Sequence, residues 1–182
     1  MSGSPVKAAA ASIALGALLA AAIVPEWRLA AGKRRLREGE SLLLSAARQT
    51  DAAGRAGILR DAEEVLDDAA QKLPHDPRPS YLLGSAALLR GDSAAALERY
   101  RRSLAIEERP ETDLNLARAH TAAGDAEAAA ADALRAVWLA PALLRDLPSD
   151  AHAPVEAEVR RREKQLSLGN PAIPPLGEES AR

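Results

Sequence analysis

The sequence predicts an all-α protein, a short solenoid of stacked helix hairpins preceded by a single N-terminal transmembrane helix. Three observations predict this fold class. First, 43 of the 182 residues are Ala, the residue with the highest helix propensity. Second, a long uncharged run lies near the start of the chain. Third, the body repeats a Gly-Asp pair at a spacing of 33 residues, between stretches of helix-forming sequence.

Composition and charge exclude several classes of protein. The chain contains no Cys, which excludes a disulfide framework and thiolate chemistry. Residues 1–50 hold 7 basic and 3 acidic residues, whereas residues 51–182 hold 17 and 23, for a formal net charge of −2. A mildly acidic body behind a basic collar is not typical of nucleic-acid binders. We therefore expect no nucleic acid among the partners, and a protein held at a membrane.

The first predicted element is the uncharged segment 8–24, of which nine residues are Ala. At about 1.5 Å per residue it spans roughly 25 Å, slightly less than the ~30 Å hydrocarbon core of a bilayer. Lys7 can snorkel and Trp27 can lie at the headgroups, which makes residues 1–25 a single-pass anchor. A cleaved signal peptide is the alternative, because residues 20–22 supply the small residues that a signal peptidase needs.

The sidedness of this anchor is predicted from the Lys and Arg residues on its flanks. Counting them favours the cytoplasm for the domain that follows, because far more of them follow the apolar segment than precede it. The same Lys and Arg residues would equally suit the solvated face of the next helix. In that case the count does not decide the side of the membrane, so the periplasm is the alternative. The Ala and Arg usage suggests a bacterial source and hence a single-pass protein of a bacterial inner (plasma) membrane. The basic residues that follow are Arg28, Lys33, Arg34, Arg35 and Arg37.

The body of the chain is a repeat. A shift of 33 residues aligns the pair Gly91-Asp92 with the pair Gly124-Asp125. Gly after a helix accepts a left-handed conformation and Asp caps the helix that follows, so each copy is predicted to be a helix–turn–helix hairpin. Pro79 suits a first helical turn, while Pro110 and Pro141 are predicted to mark helix ends. The predicted helices are 79–90 and 93–106, then 112–123 and 126–140.

This pattern resembles the tetratricopeptide repeat (TPR) family, whose period is about 34 residues. The resemblance covers residues 55–142 and departs from the family at His120 and Ala133, where the family has larger apolar or aromatic residues. It implies that small residues let neighbouring helices approach while apolar residues fill the seam between them. The residues with this packing role are Leu83, Gly84, Gly91, Ala96, Tyr100, Leu116, Ala117, Gly124, Ala129 and Ala136.

The rest of the chain is predicted to flank the two repeats. Val155, Val159 and Leu166 form a narrow apolar stripe on an otherwise charged segment, which is typical of a terminal capping helix. The Pro-rich stretch after it lacks periodicity and is predicted to be disordered. The predicted divisions are 1–25 (anchor or signal segment), 26–76 (basic collar and degenerate first helix pair), 77–142 (two TPR-like repeats), 143–168 (capping helix region) and 169–182 (tail).

No motif predicts catalysis. His75, His120 and His152 lie far apart, and none has a second ligand at metal-binding spacing on one helix face. The sequence has no Gly-rich phosphate loop, nucleophile elbow or zinc-protease motif. We therefore predict a protein that is not an enzyme and needs no cofactor or metal.

The resemblance to TPR proteins implies instead a concave groove on the first helices of the hairpins, where protein or peptide segments bind. Tyr81 and Arg118 are the strongest candidates, because aromatic and Arg side chains dominate binding energetics at interfaces. Asn115 and Arg118 are too few to predict the terminal-carboxylate grip that some family members have. The groove candidates are Tyr81, Ser85, Leu88, Leu114, Arg118 and Thr121.

These observations predict a membrane-tethered adaptor or scaffold for protein–protein interaction. Its groove would bind a protein or peptide partner, and its N-terminal helix would hold it in the lipid bilayer. The alternative is a self-associating structural component, assembled as a homo-oligomer through solenoid ends or paired anchor helices.

Overall fold

The computed structural model describes the backbone of residues 5–169 and the side chains of residues 26–169. This part of the chain is all-α, without strands. Each helix contacts the next along the chain, and the pairs α1–α2, α3–α4 and α5–α6 share the most extensive contacts. The elements are α1 (Pro5–Arg48), α2 (Ala52–Lys72), α3 (Pro77–Arg90), α4 (Ser93–Leu104), α5 (Pro110–Ala123), α6 (Ala126–Leu139), a 3-10 helix (Pro141–Asp146) and α7 (Ser149–Ser167).

The two Gly-Asp turns have the predicted geometry. Gly91 and Gly124 both have φ of +83°, the left-handed region that glycine occupies without steric cost. Asp92 and Asp125 follow them, and each accepts a hydrogen bond at 3.0 Å from the backbone N–H three residues further on. The turn therefore ends one helix and caps the next in both copies.

The boundaries of the four repeat helices differ from the predicted ones by no more than two residues. Pro141 follows the end of α6, as predicted, and begins the 3-10 helix. The prediction that Pro110 marks a helix end is wrong, because Pro110 begins α5. Pro77 likewise opens α3, behind the Asp76 cap. The fixed φ of proline and its missing N–H suit the first position of a helix, where no intrahelical donor is needed.

The helix pairs close over a seam of small and apolar residues. Tyr100 is fully buried, and a Cβ added to Gly84 would lie 2.7 Å from its ring. The Ser103 hydroxyl, also fully buried, donates to the Pro77 carbonyl at 3.0 Å and ties α4 to the start of α3. The other buried members of the predicted packing set are Leu83, Ala96, Leu116, Ala117, Ala129 and Ala136.

The two ends of the chain differ from the repeats. α1 runs without a break through position 25, where the predicted anchor ends. The predicted anchor residues 8–24 lie outside the residues whose side chains are described. Among the residues that the structure describes, no helix is both long and apolar enough to cross a membrane. The predicted disordered tail, apart from Gly169, also lies outside the described residues.

α7 packs against the last repeat as the terminal helix of the described solenoid. Val155 is buried beside Leu147, and Val159 is half-buried at the edge of the same cluster. Leu166, the third residue of the predicted stripe, is 53% exposed. The apolar stripe of this helix is therefore covered only in its first half.

Candidate functional site

The candidate site is a surface on the first helices of the two repeat hairpins. α3 contacts both α1 and α5, so these first helices lie side by side along one side of the stack. In a solenoid the closely approaching helices follow the inner curve, where extended partners bind. We call this surface the α3–α5 face and define it by Tyr81, Ser85, Leu88, Asn115, Arg118 and Thr121.

A chain of hydrogen bonds crosses the α3–α5 face from α3 to the 3-10 helix. The Asn115 side-chain amide donates to the Tyr81 hydroxyl at 2.8 Å, and Arg118 donates to the Asn115 side-chain oxygen at 2.9 Å. The other terminal nitrogen of Arg118 donates to the Asp146 carbonyl at 3.1 Å. The exposed Arg118 guanidinium is thus fixed through both of its terminal nitrogens. Because the side chain is already ordered, it would lose less conformational entropy on binding a partner.

Tyr81 and Ser85 join this surface to the packed seam beneath it. The Ser85 hydroxyl donates to the Tyr81 carbonyl at 3.2 Å and accepts from the Tyr100 hydroxyl at 3.1 Å. The Tyr81 and Tyr100 rings pack in a tilted arrangement with centroids 5.8 Å apart. Burial raises the pKa of Tyr100 to about 12, so its hydroxyl stays a neutral donor. Tyr81 is half-buried and Ser85 is largely occupied by internal bonds.

The remaining candidates separate into accessible and inaccessible side chains. Thr121 is exposed, and its hydroxyl donates back to the Ala117 carbonyl at 2.8 Å. Leu88 is half-buried beside Tyr100. Leu114 is only 5% exposed, because it packs in the apolar cluster with Leu147. Its side chain is therefore not available to a partner, although its repeat position matches that of Tyr81.

Comparison with solved structures supports the fold described above. The structure is similar to the crystal structure of a thermophilic TPR protein of Thermus thermophilus, with a TM-score of 0.54, 22% sequence identity and coverage of 74% of this chain. The fold is TPR-like. The match spans 62% of the length of the Thermus chain. No protein-family model and no curated protein matches the sequence.

The α3–α5 face of this TPR-like fold offers recognition chemistry. Its accessible groups are the positioned Arg118 guanidinium, the half-buried Tyr81 phenol and the exposed Thr121 hydroxyl, which are the kinds of group that can bind carbonyl or carboxylate oxygens and cover apolar side chains. No group of His, Asp and Glu that could hold a metal ion occurs among the described residues.

The most unusual electrostatics lie behind this face, between α4, α5 and α6. Asp113 is 1% exposed, and neither of its carboxylate oxygens has a hydrogen-bond partner among the described residues. The nearest cation is Arg135, whose Nε lies 3.6 Å from Asp113 Oδ1, while Arg135 also donates to Glu108 at 2.5 Å. Burial raises the pKa of Asp113 to about 7. Asp113 is inside the packed hairpin, out of reach of substrate or partner.

Each histidine has a local structural setting. His75 is exposed in the turn before α3. His120, which stands where the family has a large apolar residue, is buried with its Nε2 3.7 Å from Asp132 Oδ2. A ring nitrogen of His152 lies 3.0 Å from the Leu147 carbonyl at the start of α7.

The sequence prediction missed Asn115 as the link between Tyr81 and Arg118. A signal was present, because Tyr81 and Asn115 are 34 residues apart, one more than the 33-residue repeat, and so lie at nearly equivalent places on neighbouring first helices. The contact of Arg118 with the 3-10 helix had no comparable signal, since that element was not predicted.

Proposed function

We propose that this protein is an adaptor that binds a protein segment on the α3–α5 face and performs no chemistry. The observation that carries the proposal is the hydrogen-bonded series from Tyr81 through Asn115 to Arg118, fixed in place on a TPR-like fold. Such a series presents donors in a set geometry before any partner arrives. Their alignment along neighbouring first helices favours an extended or helical peptide over a small molecule.

The partner segment is expected to carry an acceptor oxygen and an apolar side chain. The Arg118 guanidinium would bind a carboxylate or a backbone carbonyl, and charge-assisted bonds of this kind are stronger than neutral ones. The apolar side chain would lie against the Tyr81 ring and Leu88, both of which are half-buried and so need only a small further desolvation.

We further propose that segment 8–24 tethers the adaptor to a bacterial inner membrane. Its uncharged composition supports the proposal, as do the exposed side chains of Trp27 and Leu29 (72% and 46%) directly after it. Amphipathic aromatic rings are enriched at the membrane–water interface. The Lys and Arg count favours a cytoplasmic adaptor domain, and a periplasmic one is the alternative.

The groove is tested by co-purification of the full chain with its partners from membranes of the source organism. The double variant Tyr81→Ala, Arg118→Ala is expected to lose a specific subset of the partners. The matched control, Leu139→Ala with Arg145→Ala, removes an exposed apolar and an exposed basic side chain elsewhere (44% and 81% exposed) and should retain them. Identical partner sets for the native chain and the groove variant would remove the α3–α5 face from the proposal.

The tether is tested separately by alkaline extraction of membranes and by protease protection in intact and opened cells. The full chain should stay in the membrane pellet, and a chain lacking residues 1–25 should appear in the supernatant. Release of the full chain by alkali, or a mature chain that begins after residue 22, would contradict a retained anchor.

Self-association through the end of the solenoid is the second candidate function. Leu166 and Leu168 are 53% and 74% exposed at the end of α7, next to the charged face of that helix. Light scattering of the full chain in detergent should then give an oligomer that the double variant Leu166→Ser, Leu168→Ser converts to a monomer. A native chain that is already monomeric would rule this function out.

A further inference from the structure

A second concave site lies at the opposite end of the repeats from α7, where α1, α2 and the start of α3 meet. The cavity has a volume of about 610 Å³ and is open to solvent. Its walls come from α1, the end of α2, the turn 73–76, the first turn of α3 and the loop before α5. None of the residues that line it belongs to the α3–α5 face.

The walls of this cavity carry an excess of positive charge. Four cationic side chains line it from four different parts of the chain, against two carboxylates, Asp76 and Glu107. Arg78 donates to Asp76 at 2.6 Å, and this pair holds the pKa of the Asp76 carboxyl below its ordinary value, with a further contribution from the charge of Arg109. The four cations are Lys33, Lys72, Arg78 and Arg109.

Two of the four cations have no carboxylate partner of their own. Lys72 is bonded to Asp68, and Arg78 is bonded to Asp76. Among the described residues, neither Lys33 nor Arg109 forms an ion pair, although both line the cavity. Only one lining carboxylate, Glu107, remains to offset Lys33 on α1 and Arg109 in the loop before α5, so the cavity keeps a net positive charge.

Apart from the exposed His75, the rest of the lining is apolar. Leu29, Leu73, Pro74 and Pro77 contribute to it, and Leu29 lies one helical turn before Lys33 on the same face of α1. A volume of about 610 Å³ is far larger than an inorganic anion needs, and lies within the roughly 300–1,000 Å³ range of sites for small organic ligands. The chemistry thus fits an anion that carries an uncharged organic portion.

The position of the cavity on α1 identifies the source of such an anion. Leu29 and Lys33 follow the end of segment 8–24 by five and nine residues, so they lie about 8 Å and 14 Å beyond it along the helix axis. The headgroup layer of a bilayer extends only about 5–8 Å beyond the hydrocarbon core on each side. When segment 8–24 spans the membrane, the Leu29 backbone therefore lies at the outer edge of the headgroup layer, and Lys33 lies about 6 Å further out, from where its long side chain can reach back to the headgroups.

We propose that this cavity binds the phosphate headgroup of an anionic phospholipid. Lys33 and Arg109 bind the phosphate, Lys72 and Arg78 add to the positive potential, and the apolar lining accommodates the glycerol portion. The site would fix the orientation of the stack relative to the bilayer surface, which a single helix alone does not do. The proposal deepens the membrane tether proposed above and rests on it.

The test is calorimetric titration of the full chain, in a neutral maltoside detergent, with dioctanoyl phosphatidylglycerol. Saturable binding is expected, and the double variant Lys33→Gln, Arg109→Gln should weaken it at least about tenfold, since each basic residue near an anionic headgroup adds to the attraction. The matched control Arg34→Gln, Arg37→Gln removes two exposed charges from the same stretch of α1 outside the cavity, and should change the affinity less than twofold. The charge-conserving variant Lys33→Arg, Arg109→Lys should retain binding, because it keeps both positive charges in the cavity.

Four results would overturn the proposal. These are no saturable binding to the native chain, equal weakening by the cavity variant and its control, equal affinity for dioctanoyl phosphatidylcholine, and equal affinity for glycerol phosphate. The last result would assign the site to a free phosphate ester instead of a lipid. The titration needs no inserted anchor, so its outcome is distinguishable from the alkaline extraction that tests the tether.

Discussion

At the residue scale, the absence of one side chain controls how closely two helices approach. Gly84 faces the ring of the fully buried Tyr100, and the ring is held by packing against Tyr81 and a hydrogen bond to Ser85. The ring has little room to move, so the space beside it accepts a hydrogen atom and not a methyl group.

Replacing Gly84 with Ala is therefore expected to lower the free energy of unfolding by about 1–3 kcal/mol through overpacking, although Ala is the better helix former. Gly57, in α2, is the matched control because a Cβ there would meet nothing within 4 Å. Gly57→Ala should raise the stability by roughly 0.5–1 kcal/mol. Urea denaturation followed by circular dichroism measures both, and a shift of the same sign for the two variants would contradict the close approach.

Asp113 makes the stability dependent on pH. Its pKa is about 7 in the folded chain against an ordinary value of 3.8, so the folded state binds the extra proton. The stabilisation from that proton is fully present below pH 3.8 and is lost as the pH rises through 7. Above pH 7 the folded chain must hold a buried carboxylate without hydrogen bonds.

Asp113→Asn should therefore be more stable than the native chain at pH 8, by about 1–3 kcal/mol, and this difference should shrink as the pH falls to 5. The control Glu111→Gln removes an exposed carboxyl from the same first turn of α5 and should keep the native pH profile. Thermal denaturation from pH 5 to 8 checks this. An Asn variant less stable than the native chain at pH 8 would mean that the ion pair with Arg135 outweighs desolvation.

At the element scale, the ends of the helices could be predicted where a local rule applies. The Gly-Asp turns followed from the conformational freedom of Gly91 and the capping oxygen of Asp92 alone. Pro110 was assigned to the wrong element, because the same residue stops one helix and starts another. Leu114 and Asp113 could not be assigned to buried sites, since burial of α5 on nearly all sides depends on α4, α6 and the 3-10 helix together.

The Asp125 cap is expected to stabilise α6 by about 1 kcal/mol, because its side chain satisfies a backbone N–H that has no partner within the helix. Asp125→Ala should lower the melting temperature, whereas Asp125→Asn keeps a capping oxygen and should change it little. Equal losses for the two variants would assign the effect to the carboxylate charge, which lies 3.6 Å from His120, instead of to the cap.

At the scale of the whole molecule, one stack of helices carries two separate surfaces. Stacking of the hairpins produces the α3–α5 face, and the meeting of α1, α2 and α3 produces the cationic cavity near segment 8–24. The repeat and its likeness to TPR proteins were predictable from the 33-residue spacing. The cavity was not, because its lining residues are up to 80 positions apart and only the folded chain brings Leu29 near Arg109.

The most direct test of the adaptor groove is site-specific photo-crosslinking in intact cells, with a photoreactive residue placed at one position at a time. Thr121 is exposed on the α3–α5 face, and Ala94 is exposed on α4, a second helix of the hairpin. We predict a discrete adduct with another protein from position 121 and none from position 94. Adducts from position 94 alone would show that partners bind elsewhere on the stack and would contradict the adaptor groove.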